Sequence, residues 1–72
     1  MRSIQRQPVE STSIASIGYQ AAGGILELEF RNGAIYRYVE VPAAVFEQML
    51  VAKSKGQYLH RFIRGVFTYE SA

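Results

Sequence analysis

The apolar residues of this 72-residue chain change their spacing along its length. Up to about residue 41 they recur at every second position, the period of a half-buried strand. Residues 14–19, Ile-Ala-Ser-Ile-Gly-Tyr, predict a first strand with Ala15, Ile17 and Tyr19 on one side. Residues 20–24 follow as a loop, where Gly23-Gly24 lets the chain turn back. Residues 25–30, Ile-Leu-Glu-Leu-Glu-Phe, alternate without a break and form the clearest strand. Asn32-Gly33 then marks a hairpin, because both residues tolerate positive φ. Residues 34–41 predict a third strand rich in aromatic and β-branched side chains. Upstream, residues 1–8 are polar and aperiodic and end at Pro8, which reads as a flexible N-terminal arm.

The hairpin has two available registers. A two-residue turn at Asn32-Gly33 sets Leu28 against Arg37 and Glu29 against Tyr36. A three-residue loop, Arg31-Asn32-Gly33 with Gly33 as a bulge, sets Phe30 against Ala34, Leu28 against Tyr36 and Leu26 against Tyr38. The second collects all six of those side chains on one apolar face and places Glu27 opposite Arg37, a cross-strand ion pair worth roughly 0.2–1 kcal/mol. A slip of one residue would turn every side chain to the wrong face, so the bulged register is preferred.

At Pro42 the period changes. Proline suits the first turn of a helix, where a missing N–H costs nothing. Val45, Phe46, Met49 and Leu50 then recur at helical spacing, with Glu47 and Gln48 opposite, predicting an amphipathic helix that ends near Ala52 or Lys53. Ser54-Lys55-Gly56-Gln57 matches a capping box, in which Ser54 and Gln57 satisfy each other's end of a new helix. Tyr58, Leu59, Phe62 and Ile63 supply its apolar side and Gly65 its stop. Residues 66–70 predict a short last strand or extended tail. The expected fold is therefore α+β: a small antiparallel β-meander (three strands over residues 13–41, plus a short C-terminal strand) with two short helices packed on one face. Residues 9–72 make a single domain, expected to be a monomer or a weak dimer through an exposed strand edge.

Composition removes several function classes. The chain has no Cys, no Asp and one histidine, His60, so neither a Ser-His-Asp triad nor a four-ligand zinc site can be assembled within it. No catalytic residue, metal or cofactor is expected, and the domain is read as non-enzymatic. The longest apolar run, residues 41–46, is far short of the ~20 residues that span a bilayer, so the expected location is cytoplasmic, with no membrane partner.

Charge adds a location. Residues 53–64 hold Lys53, Lys55, Arg61 and Arg64 and no acidic group, a local +4; the rest of the chain has four basic and six acidic residues, −2. The overall +2 thus hides a basic pole. Residues three apart on a helix are neighbours, so Arg61 and Arg64 are expected to share a face, with His60 turned aside. The start of that helix, Ser54-Lys55-Gly56, favours an anion through its free N–H groups.

Ser13-Ile14, Ile17-Gly18-Tyr19, residues 26–30, Gly33, Tyr36-Arg37-Tyr38, Val41-Pro42, Ser54-Lys55-Gly56-Gln57-Tyr58, Ile63-Arg64 and Tyr69 occur in that order. The series resembles the KTSC domain family, named for its occurrence at the C-terminus of some lysyl-tRNA synthetases and found also as small stand-alone bacterial proteins and in phage-related contexts. The resemblance covers roughly residues 9–70. It departs in the loop after Tyr19, which lacks the family's common acidic residue, and at Leu59-His60, where the family often has an aromatic and an Asn. The family has no established activity; its attachment to a tRNA-charging enzyme implies RNA as a ligand.

Basic and aromatic side chains together suit looped or single-stranded RNA. The candidate nucleic-acid contacts are Lys53, Lys55, Arg61 and Arg64 for phosphates, and Tyr58 and His60 for a base. A plain solvated helix with a structural cap explains Ser54, Gln57 and, by packing against the preceding helix, Gly56. Tyr36 and Tyr38 would form a stacking platform on an open sheet, but in the bulged register they pack beneath the helices. Glu27 and Glu29, about 7 Å apart along one strand face, read as structural, with Arg37 the partner of Glu27. The resulting expectation is a binding module for RNA, tRNA being the natural candidate. The alternative is a protein–protein interaction module, phage-related or accessory, whose basic pole meets an acidic protein surface.

Overall fold

Each strand of the single sheet lies beside its neighbour in sequence. In the computed structural model, which describes residues 4–72, these are β1 (Arg6–Pro8), β2 (Ile14–Gln20), β3 (Ile25–Phe30), β4 (Ile35–Tyr38) and β5 (Tyr69–Ser71), all antiparallel. Helix α1 (Ala43–Val51) and a short α2 (Lys55–Tyr58), which runs directly into a π-helical turn (Leu59–Ile63), lie between β4 and β5. The architecture is the expected α+β one, with an additional strand at the front.

That strand corrects the reading of residues 1–8 as an arm. Residues 1–3 lie outside the described residues, but Arg6, Gln7 and Pro8 pair with Gly18, Ile17 and Ser16. Proline is tolerated there because β1 is an edge, where a missing N–H breaks no ladder on its outer side. β2 also differs from simple alternation. The register shifts between Ile14 and Ser16, so Ala15 is the extra residue of a bulge and Ile14 takes the core position expected for Ala15.

The β3–β4 hairpin takes the bulged register. Leu26 faces Tyr38, Glu27 faces Arg37 and Leu28 faces Tyr36. Gly33 has φ +93°, and its N–H donates to Phe30 O at 2.9 Å while Phe30 N–H donates to Ala34 O at 2.8 Å. Only the glycine needs the left-handed conformation, as the three-residue loop requires. β4 is shorter than predicted because Glu40 turns the chain with φ +57°, an uncommon conformation for a residue with a Cβ. Past it, Val41 N–H donates to Gly24 O at 2.8 Å and Tyr19 donates its hydroxyl proton to Val41 O at 2.5 Å. Gly24 is needed at this crossing, since a Cβ there would meet Val41 O at 2.9 Å.

Pro42 stands one position earlier than expected, at the N-cap of α1. One face of the sheet carries the core: Ile14, Ile17, Leu26, Leu28 and Tyr38 pack with Val41, Met49, Leu59 and Ile63, all nearly or wholly buried. Val45, Phe46 and Leu50 of α1 close over its rim as their spacing predicted.

Candidate functional site

The opposite sheet face is polar yet closed. Register places Arg6, Gly18, Glu27, Arg37 and Glu70 in one row across all five strands. Gly18 supplies no side chain, and a Cβ there would come within 2.5 Å of Gln5 O and 2.9 Å of Arg6 Cγ. The Arg6 side chain passes over this gap to ion-pair with Glu27, whose other oxygen accepts from Arg37 Nε at 2.6 Å. Arg6 Nε also donates to Ser16 Oγ at 2.9 Å, and Ser16 donates to Glu29 at 2.8 Å. Glu27 is only 2% exposed. Burial alone would raise its pKa, but the hydrogen bonds from Arg37 and Arg6, with their charges, outweigh it and hold the carboxyl below the usual range. It is a structural anion. The sequence pointed to Arg37 as its partner; Arg6 was hidden in a segment with no strand period.

The basic pole is built on the second helix. Ser54 caps it by accepting from Gln57 N–H at 3.2 Å, the forward half of the expected capping box. Gly56 is close-packed, though not against α1: a Cβ would lie 2.7 Å from Ser13 Oγ, just before β2. After one α turn, Arg64 N–H donates to Leu59 O at 2.8 Å, an i→i+5 bond that widens the helix. The predicted apolar side divides. Leu59 and Ile63 enter the core, while the Tyr58 and Phe62 rings lie 4.9 Å apart toward the surface, with Phe62 51% exposed.

The sequence-predicted contacts do not all converge. Lys53, Tyr58 and Arg61 line one open depression of about 190 Å³ together with Ser54, Gln57 and Phe62, and no acidic residue lines it. Phe62 was missed because its spacing fits the core; its place four residues after Tyr58 is the signal that pairs them. Lys55 is half-buried and donates from Nζ to Ala52 O at 3.1 Å, capping the end of α1 rather than standing free. His60 is exposed on the π-helical turn. Arg64, just past that turn, has extended backbone and lines a different depression with Arg31 and Tyr36. The expected shared face of Arg61 and Arg64 is thus replaced by two separate hollows.

The tyrosine pair is mostly core. Tyr38 is 2% exposed, and its burial raises its pKa, with the Arg64 charge opposing in part and Tyr69 and Tyr36 adding to the rise. Tyr36 is half-buried, edge-on to Phe30 at 5.2 Å and stacked on Tyr69 at 4.7 Å. Among the described residues no three His, Cys, Asp or Glu side chains gather to hold a metal, and no helix is long and apolar enough to cross a membrane.

The model of the KTSC domain matches residues 10–67. The chain belongs to the KTSC domain family. A KTSC domain protein of Yersinia pestis has a crystal structure that superposes with TM-score 0.93 at 37% identity, covering 97% of this chain and 99% of that one. A protein of Tsukamurella paurometabola is 44% identical over 61 residues, 85% of this chain and 91% of that protein. A lysine–tRNA ligase of Nostoc sp. is 46% identical over the same length, but this KTSC domain spans only 11% of the ligase. The family therefore includes both free-standing proteins and segments of a tRNA-charging enzyme.

Proposed function

We propose that this KTSC domain is a non-enzymatic RNA-binding module of the cytoplasm, with tRNA as its natural ligand. One observation carries the reading: Lys53 and Arg61 flank the Tyr58–Phe62 ring pair in a depression without a single carboxylate. The cations are available, since neither they nor Arg64 takes part in the ion pairs of the described residues. The exposed Phe62 ring and half-buried Tyr58 ring, beside cations outside those ion pairs, suit stacking of an unpaired base with phosphates held alongside. The occurrence of a similar segment in lysine–tRNA ligases supports tRNA in particular.

Three phosphate contacts, from Lys53, Arg61 and Arg64, give a log–log salt slope of about −2 to −3 and therefore weak binding at physiological salt. NMR titration with tRNA at low and then physiological salt is the test, with shifts expected across residues 53–64. No shift in that segment at low salt would sink the reading. The exposed apolar side chains Val51 and Val66 favour the second reading, a protein-interaction module facing an acidic partner. A pull-down treated with nuclease separates them, because a protein partner survives digestion and co-purified RNA does not.

A further inference from the structure

The hollow that receives Arg64 has features of its own. It measures about 340 Å³, and its walls come from three separated stretches: Ser13 before β2, the β3–β4 hairpin, and Arg64 after the π-helical turn. No carboxylate lines it. Two of its donors, Arg31 and Asn32, are held in place before any ligand arrives. Arg31 donates from Nε to Ser11 O at 3.2 Å and from Nη2 to Val9 O at 3.3 Å, which fixes the guanidinium and leaves three of its five N–H groups for a ligand. Asn32 accepts from Ala34 N–H through Oδ1 at 3.0 Å, so its carboxamide is oriented and its NH₂ remains available. The aromatic wall is equally fixed, because Tyr36 is wedged between Phe30 at 5.2 Å and Tyr69 at 4.7 Å.

Two guanidinium groups, an oriented amide and a hydroxyl beside aromatic rings are complementary to an anion that carries a flat ring. The size, near the lower end of ~300–1,000 Å³ for small-molecule sites, admits one such unit. We infer that the hollow formed by Ser13, Phe30, Arg31, Asn32, Tyr36 and Arg64 binds a single nucleotide, its phosphate between Arg31 and Arg64 and its base against the Phe30–Tyr36 wall with an edge at Asn32. As part of RNA, this would be a second nucleotide besides the one stacked on Tyr58 and Phe62, since Arg61 lines one hollow and Arg64, three residues on, lines the other. To that extent the inference rests on the RNA reading, though the hollow itself is testable without RNA.

The experiment is an NMR titration of the whole protein with AMP, CMP, GMP and UMP at about 1 mM and above, beside inorganic phosphate and phosphotyrosine, and separately with a short single-stranded RNA. At least one nucleotide should shift the amides of residues 31–34 and 64 at several-fold lower concentration than phosphate or phosphotyrosine does. Arg64→Ala should weaken that binding at least threefold, and Asn32→Asp, which keeps the turn acceptor but replaces the NH₂ with a carboxylate oxygen, should weaken every nucleotide and also change the preference among bases. Overturning results are no shift with any nucleotide, equal response to phosphate alone, or equal response to phosphotyrosine. If RNA binds and Arg61→Ala weakens it while Arg64→Ala does not, the nucleotide hollow is wrong and the RNA reading stands. If nucleotides bind here but RNA does not, the RNA reading fails and the hollow remains.

Discussion

The polar face of the sheet and the basic pole of the second helix both carry arginines, and they use them in opposite ways. Arg6 and Arg37 close on Glu27, the one fully buried carboxylate of the described residues, and are themselves three-quarters covered. Lys53, Arg61 and Arg64 are exposed and enter none of the ion pairs of the described residues. The first set holds the edge strand β1 to the sheet; the second set leaves charge for something else to meet. A count of basic residues cannot make this distinction, because what decides it is whether a carboxylate comes within ion-pair distance. Lys55 and Arg31 fall between the two, since each spends donors on backbone carbonyls.

The largest way to break the contrast is Glu27→Ala. Removing the shared anion leaves two cations crowded on one face, and breaking such a pair costs 3–5 kcal/mol when fully buried. Both arginines retain some water contact, so a loss of about 2–4 kcal/mol in urea unfolding is expected, with RNA affinity of the folded protein unchanged. Gly18→Ala should follow at about 1–3 kcal/mol, the cost of overpacking, because a backbone carbonyl stands where the methyl would go. Hydrogen exchange should show β1 released in that variant while the β3–β4 hairpin stays protected.

Acid sharpens the same comparison. The folded state holds the Glu27 carboxyl below the usual range, so as pH falls the unfolded chain takes up that proton first. The stabilisation is complete above the unfolded-state carboxylate pKa and disappears as pH falls through the lowered folded-state value. Urea midpoints should therefore decline from about pH 5 downward, and Glu27→Gln should show a shallower decline.

At the other pole the expectation is reversed. Arg61→Ala should alter stability by less than about 0.5 kcal/mol, as surface changes usually do, yet weaken tRNA binding and reduce the salt slope by about 1. Lys55→Met tests the intermediate class. Loss of its bond to Ala52 O should cost about 0.5–1.5 kcal/mol, with a smaller effect on the salt slope than Arg61→Ala. A slope change equal to that of Arg61→Ala would place Lys55 with the free cations.

The comparison also marks where sequence reasoning reached. The hairpin register was legible because alternation, the Gly33 bulge and the Glu27–Arg37 pair all agree on it, and a slip of one residue would set the apolar side of one strand against the polar side of the other. Helix α1 was legible for the same reason, since Val45, Phe46, Met49 and Leu50 keep one period throughout. β1 was not, because three residues ending in proline have no period and become a strand only by pairing with β2. The split of Arg61 from Arg64 was equally hidden: it follows from one i→i+5 bond, which a propensity argument based on 3.6 residues per turn does not anticipate.

Local rules, then, determine this chain's α+β class, the position of β2, β3 and α1, its preferred hairpin and the stretch that carries its positive charge. Those are properties of neighbours, and neighbours are what a sequence records. Tertiary structure alone decided which charges remain free, which rings reach the surface, and that residues 13, 31, 32 and 64 share one hollow. Each of these depends on a contact between distant segments, and such a contact exists only once the sheet and helices have packed.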